Sequence, residues 1–214
     1  MSDKGTGLIR AIFDTDNFFM QICEKILDLM TVNLLFLLSC LPLVTIGIAK
    51  LSLYQTLFEI KGNRRVKVIR TYTRIFRENW KQGLKLGLLE LIGISLFDLL
   101  LFRTQEALPF QVLKAVCFGI IIFTILLSLC VYPLAGKFLM SFRDLLQTSL
   151  VIVSLNFPWF FVMMAVIAAI LVIIYSSGFV LLLGFSLFAF IGFAGLAYLQ
   201  LPILEKIFAK YSSL

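Results

Sequence analysis

The chain has 214 residues, is 61% hydrophobic and only 14% charged, where a soluble domain carries about 25% charged residues. Lys and Arg outnumber Asp and Glu by 19 to 12, and histidine is absent. This composition leaves no room for a separate soluble domain, and the missing imidazole excludes Ser-His-Asp triads, His-based general acid–base catalysis and the common zinc sites.

Residues 1–17 form a short polar tail of mixed charge. It lacks the compact apolar core of a cleavable signal, so the N-terminus is expected to be retained. Ile22, Ile26, Leu29, Met30 and Asn33 then recur at helical spacing, the pattern of a helix that meets the membrane from its interface. The apolar run 26–46 ends in Leu41-Pro42-Leu43-Val44-Thr45-Ile46-Gly47, where Pro42 and Gly47 mark a kink or a break. Residues 48–60 are apolar enough to be buried but hold Lys50, Gln55 and Glu59. Two readings stay open: a short sixth span paired with the first as a hairpin, or a continuation of the first helix toward the cytoplasm. The N-terminus is cytoplasmic in the first case and external in the second.

The longest polar stretch, residues 61–82, carries Lys61, Arg64, Arg65, Lys67, Arg70, Arg74, Arg77 and Lys81 against Glu78. Lys and Arg beside spanning helices stay in the cytoplasm, a more economical account of this charge than nucleic-acid binding. Ile69, Tyr72, Phe76 and Trp80 step by three and four, which predicts one apolar helix face. Arg70, Arg74, Arg77 and Lys81 form a neighbouring stripe, with Asn79 close by. The expectation is a basic amphipathic helix on the cytoplasmic leaflet, with Trp80 at headgroup depth, or the same surface turned to a partner subunit.

Four further runs are nearly free of charge: 84–102, 112–134, 160–175 and 179–201. Each approaches the length of about 20 residues that a helix needs to cross a bilayer. Residues 103–110 suit an external loop, Lys137 and Arg143 an internal one, and 176–178 a minimal external turn. Lys206 and Lys210 then place the C-terminus in the cytoplasm. Pro158 suits a helix start, with Asn156 as a candidate cap. The expected fold is therefore all-α: one polytopic transmembrane helical bundle over residues 1–214, with five or six spans.

Few residues in the spans can carry chemistry. Glu90 lies near the middle of the second long run, and Asp98 follows two turns later. A carboxylate in hydrocarbon must be paired, protonated or turned to water. The two could line a polar path, or Glu90 bonds a neighbouring helix while Asp98 lies near the external interface. Lys50 has the choice of pairing with Glu90 or snorkelling to the interface, and snorkelling is the expectation. Gly83 and Gly87 open the same run as a GxxxG pair, and Gly192 and Gly195 punctuate the last one. Small residues of this kind permit close helix contact. Cys23, Cys40, Cys117 and Cys130 lie in or beside apolar runs and form no CxxC, as expected of buried thiols. No phosphate-binding loop, metal cluster or nucleophile elbow is visible. The expectation is a protein without catalytic activity, cofactor or metal.

Asn33-Leu34-Leu35, Leu41-Pro42, Thr45-Ile46-Gly47, Leu53-Tyr54, Phe76, Asn79, Gln82 and Asp98 form a pattern in the first half. Through it the chain resembles the YesL family of bacterial membrane proteins, also called DUF624; the resemblance covers nearly the whole chain, specific in the first half and compositional in the second. Tyr132-Pro133-Leu134 and Phe138 are similar further on. The family usually has small residues directly after its TIG motif, where this chain has Ile48-Ala49-Lys50. The resemblance implies a bacterial cell-membrane protein, encoded beside carbohydrate ABC importers and acting as an accessory component of oligosaccharide uptake. It carries over no catalytic residues. The expected partners are the lipid bilayer and ABC sugar permease subunits. A homo-oligomer that encloses a path belongs to the competing reading, a stand-alone transporter or channel built on Glu90 and Asp98.

Overall fold

The computed structural model describes residues 18–62, 66–103 and 108–211, with side chains described for 20–62, 66–95, 115–116 and 118–211. Among them every regular element is helical. In order they are α1 (Phe18–Cys40), a 3-10 turn (Leu43–Thr45), α2 (Ile46–Gly62), α3 (Val68–Glu78), α4 (Trp80–Arg103) and α5 (Leu108–Lys137). Then follow α6 (Phe142–Leu155), α7 (Phe157–Tyr175), α8 (Gly178–Leu187), a π-helical turn (Phe188–Gly192) and α9 (Phe193–Tyr211). Among the described residues, four stretches are long and apolar enough to cross a membrane: Leu43–Gly62, Phe118–Lys137, Phe157–Tyr175 and Gly178–Tyr211. The chain is a helical, multi-pass membrane protein.

The run 26–46 is not one helix. It stops at Cys40, and Pro42, which has no N–H to donate, starts the turn. Thr45 holds that turn closed: its hydroxyl donates to the carbonyls of Ser39 (2.6 Å) and Pro42 (2.7 Å). Gly47 lies inside α2 rather than at the break. The uncertain segment 48–60 is the body of α2, and it forms the centre of the bundle. α1, α3, α4, α5 and α9 all pack against it. Leu51, Leu57, Ser52 and Thr56 are fully buried along its length.

Several contacts gather the charged segments at one end of the bundle. Lys61 at the end of α2 pairs with Glu205 near the end of α9. Gly136 of α5 lies against Gln55, and the Gln82 amide donates to the Met140 carbonyl (3.4 Å). Asn156, ahead of α7, donates to the Tyr211 hydroxyl (2.9 Å). The basic helix, the α5–α6 turn and the C-terminal end of α9 therefore share one side. Helix α6 lies in the stretch read as an internal loop, and buries Leu145, Ser149, Ile152 and Val153.

The basic segment is not one continuous helix. α3 ends at Glu78, and Asn79 separates it from α4. Its buried residues are Val68, Tyr72 and Ile75, while Ile69 and Trp80 are exposed. The face is rotated because α3 packs on α1 and α2 as well as facing outward. Burial pushes the Tyr72 phenol above the ordinary tyrosine value.

Candidate intramembrane polar site

Three glycines set the distance between the helices that carry the site. A Cβ built on Gly47 would stand 2.3 Å from the Gly83 carbonyl oxygen and 2.5 Å from the Gly87 Cα. One built on Gly83 would meet the Ile48 Cα at 2.6 Å. Backbone thus touches backbone where α2 crosses α4, as small-residue packing allows. The contact brings the Lys50 side chain of α2 to Glu90 of α4.

Lys50 does not snorkel. Its Nζ lies 2.7 Å and 2.9 Å from the two carboxylate oxygens of Glu90. Tyr132 of α5 donates its hydroxyl to Glu90 Oε2 (2.8 Å), and its ring lies under the Lys50 ammonium at 5.1 Å. The pair is only partly exposed, 29% for the Lys50 side chain and 16% for that of Glu90. A desolvated ion pair needs further hydrogen bonds to offset the loss of water. Tyr132 supplies one, and its ring face adds a cation–π contact.

A cavity of about 230 Å³ opens beside this triad. Lys50, Tyr54, Ser128, Tyr132 and Gln200 provide its polar wall, and Phe36, Leu171, Phe188 and Phe193 part of its apolar wall. Within it the Tyr54 hydroxyl donates to Gln200 Oε1 (3.1 Å). Phe188 and Phe193 bracket the π turn, so the turn shapes the cavity. Asn33 of α1 holds that turn. Its side-chain amide donates to the carbonyls of Phe188 (3.0 Å) and Ala189 (2.8 Å), and its Oδ1 accepts from the Ala194 N–H (3.0 Å). A π turn breaks the regular helical ladder, and one fully buried Asn side chain satisfies the groups it frees.

The other expected site residues fall elsewhere. Asp98 lies on α4, and its side chain is outside the described residues. Gly192 and Gly195 do not open a helix contact: the nearest atoms to a Cβ there belong to Phe188 and Ile191 of the same chain turn. Asn156 does not cap α7, since its side chain donates to the Ile152 carbonyl and to Tyr211. The basic stripe is divided. Arg74 pairs with Glu59 (3.0 Å) and Asn79 donates to Gln55 (2.9 Å), while Arg70, Arg77 and Lys81 are exposed. Tyr54 and Tyr132 stand out in the sequence only through the family resemblance, and Gln200 not at all. The signal available was polarity inside otherwise apolar runs, the same signal that identified Glu90.

Residues 29–99 match the family model described as Protein of unknown function, DUF624. The match bears out the resemblance over that stretch, which holds Asn33, Gly47, Lys50, Gly83, Gly87 and Glu90. No curated protein and no solved structure matches the chain.

Proposed function

We propose that this protein is a non-catalytic component of the bacterial cell membrane that packs against the permease of an oligosaccharide ABC importer. The observation that carries this reading is that the charged and amide side chains described in the spans are partnered within the bundle, although the buried Thr56 hydroxyl of α2 is not. Lys50, Glu90 and Tyr132 satisfy one another, Tyr54 meets Gln200, and Asn33 serves the π turn. Paired in this way, these groups hold the helices of the bundle to one another. The contact surface is then the lipid-exposed helices together with Arg70, Arg77 and Lys81. The family resemblance supplies the class of partner.

The topology that accompanies this reading has six spans, with α1 and α2 as a hairpin and both termini in the cytoplasm. Its support is the clustering of Lys61, α3, Lys137 and the end of α9 on one side, as the positive-inside rule requires.

The test is extraction from the native membrane in a mild detergent, followed by identification of what is retained. Recovery of an ABC permease pair at near-equal amount is the expected result. Recovery of the protein alone refutes a stable complex of this kind.

A second reading rests on the cavity of about 230 Å³ beside Lys50. It makes the protein a small transporter or channel, acting alone or as a homo-oligomer. It requires solute flux in liposomes that fails in Glu90→Gln. Asp98 would extend its path.

A further inference from the structure

A second, separate groove lies where the start of α7 meets the end of α9. It measures about 310 Å³ and is lined by Asn156, Trp159, Ile203, Lys206, Ile207 and Lys210. Both helices belong to candidate spans, so the groove sits at the rim of the membrane-spanning region, on the side of the basic helix. Two features give it a defined chemistry. The first is unbalanced positive charge. Glu205, the one carboxylate of α9, turns away to pair with Lys61 of α2. Lys206 and Lys210 stand four positions apart on one face, and neither forms an ion pair among the described residues. The second is an amphipathic wall. The half-buried Ile203 and the largely buried Ile207 form its apolar floor, and the exposed Trp159 indole forms part of its wall. Trp at the bilayer interface sits at headgroup level.

We infer that this groove binds the headgroup phosphate of an anionic phospholipid, with the two ammonium groups on the phosphate and an acyl chain along Ile203 and Ile207. A basic pocket between spanning helices is a known way to hold such headgroups. A soluble anion would need the lysines alone. The indole and the isoleucines favour a ligand that carries a hydrocarbon tail.

The chain has two tryptophans, so Trp80→Phe leaves Trp159 as the sole reporter. The protein is reconstituted in vesicles of zwitterionic lipid doped with acyl-brominated lipid that is either anionic phosphatidylglycerol or zwitterionic phosphatidylcholine. Bromine quenches indole on contact, so the ratio of the two reads the preference at the groove. The expected result is stronger quenching by the anionic lipid, with the preference falling about fivefold for each lysine lost in Lys206→Gln and Lys210→Gln. It should persist in Lys206→Arg/Lys210→Arg and in Arg70→Gln/Arg77→Gln. Equal quenching by both lipids overturns the proposal. So does a preference that Arg70→Gln/Arg77→Gln removes, because the general surface charge would then be its source. If the two brominated lipids quench equally while inorganic phosphate at fixed ionic strength shifts Trp159 emission in a way that Lys206→Gln/Lys210→Gln removes, the groove takes a free anion and the lipid assignment fails.

Discussion

Helices α2 and α7 are both candidate spans, yet they follow opposite rules. α2 is the least apolar of the four and the most enclosed, with 56% of its span window buried in the protein. α7 is the most apolar, and only 11% of its window is buried. In a soluble protein the apolar helix would be the inner one. In a bilayer, lipid is as apolar as leucine, so hydrophobicity alone gives a helix no reason to leave it. Polar groups and close packing decide which helix goes inside. α2 carries Lys50, Ser52, Tyr54, Gln55 and Thr56 within seven positions, and Gly47 to seat it on α4. The family match, residues 29–99, takes in α2 and leaves out α7. It holds Lys50 and Glu90 but leaves out Tyr132 and Gln200.

The sharpest way to break this contrast is at Gly47. Gly47→Ala places a methyl group into the backbone of α4, which cannot move aside as a side chain can. The expected loss is about 3 kcal/mol or more, read as loss of monodisperse protein in detergent. Gly119→Ala on α5 is the matched control: nothing lies within 4 Å of its Cβ position, and no loss is expected.

The ion pair comes next. Glu90→Leu leaves the Lys50 ammonium without its partner. Fully buried pairs lose about 3–5 kcal/mol in this way, and the partial exposure of Lys50 lowers the expectation to about 2 kcal/mol. Chemical denaturation in detergent measures it. Lys50→Met in the same chain should restore at least half, because both charges are then gone. No recovery would mean that Glu90 is held by Tyr132 rather than by Lys50.

Asn33→Ala has a smaller and more local effect. It removes three hydrogen bonds from the π turn, at an expected cost of about 1–2 kcal/mol. Hydrogen exchange at the Ala194 amide should rise while α7 stays unchanged. Equal protection in the variant would show that the turn holds itself. At the bottom of the scale stands Leu182→Ala on α8, a side chain 71% exposed. Its expected effect is under about 0.5 kcal/mol. A larger loss would reveal that this face is covered in the membrane, by a second copy or a partner.

Tyr72 and Ile69 show how far periodicity alone reaches. The spacing Ile69, Tyr72, Phe76, Trp80 is a sound helical stripe, and residues 68–78 are helical. The buried face is nevertheless Val68, Tyr72 and Ile75. A stripe identifies a face against one solvent, whereas α3 contacts two helices. The interruption of run 179–201 by the π turn likewise has no clear sign in its sequence, since every residue from Phe188 to Ile191 is apolar.

What the amino-acid sequence determined by itself is whatever depends on one helix and its solvent. This includes the helical class, the membrane as the medium, the break at Pro42, the basic segment and the costly carboxylate at Glu90. Each follows from composition, spacing or a residue's own backbone limits. Only the tertiary structure decided which partner each group found. Lys50 meets Glu90 from 40 positions away, and Asn33 meets Ala194 from 161. Apolar helices are nearly interchangeable as neighbours in lipid. Pairing is therefore selected by a few close contacts, such as Gly47 against Gly83 and Gly87, and by the need to satisfy each polar group away from water.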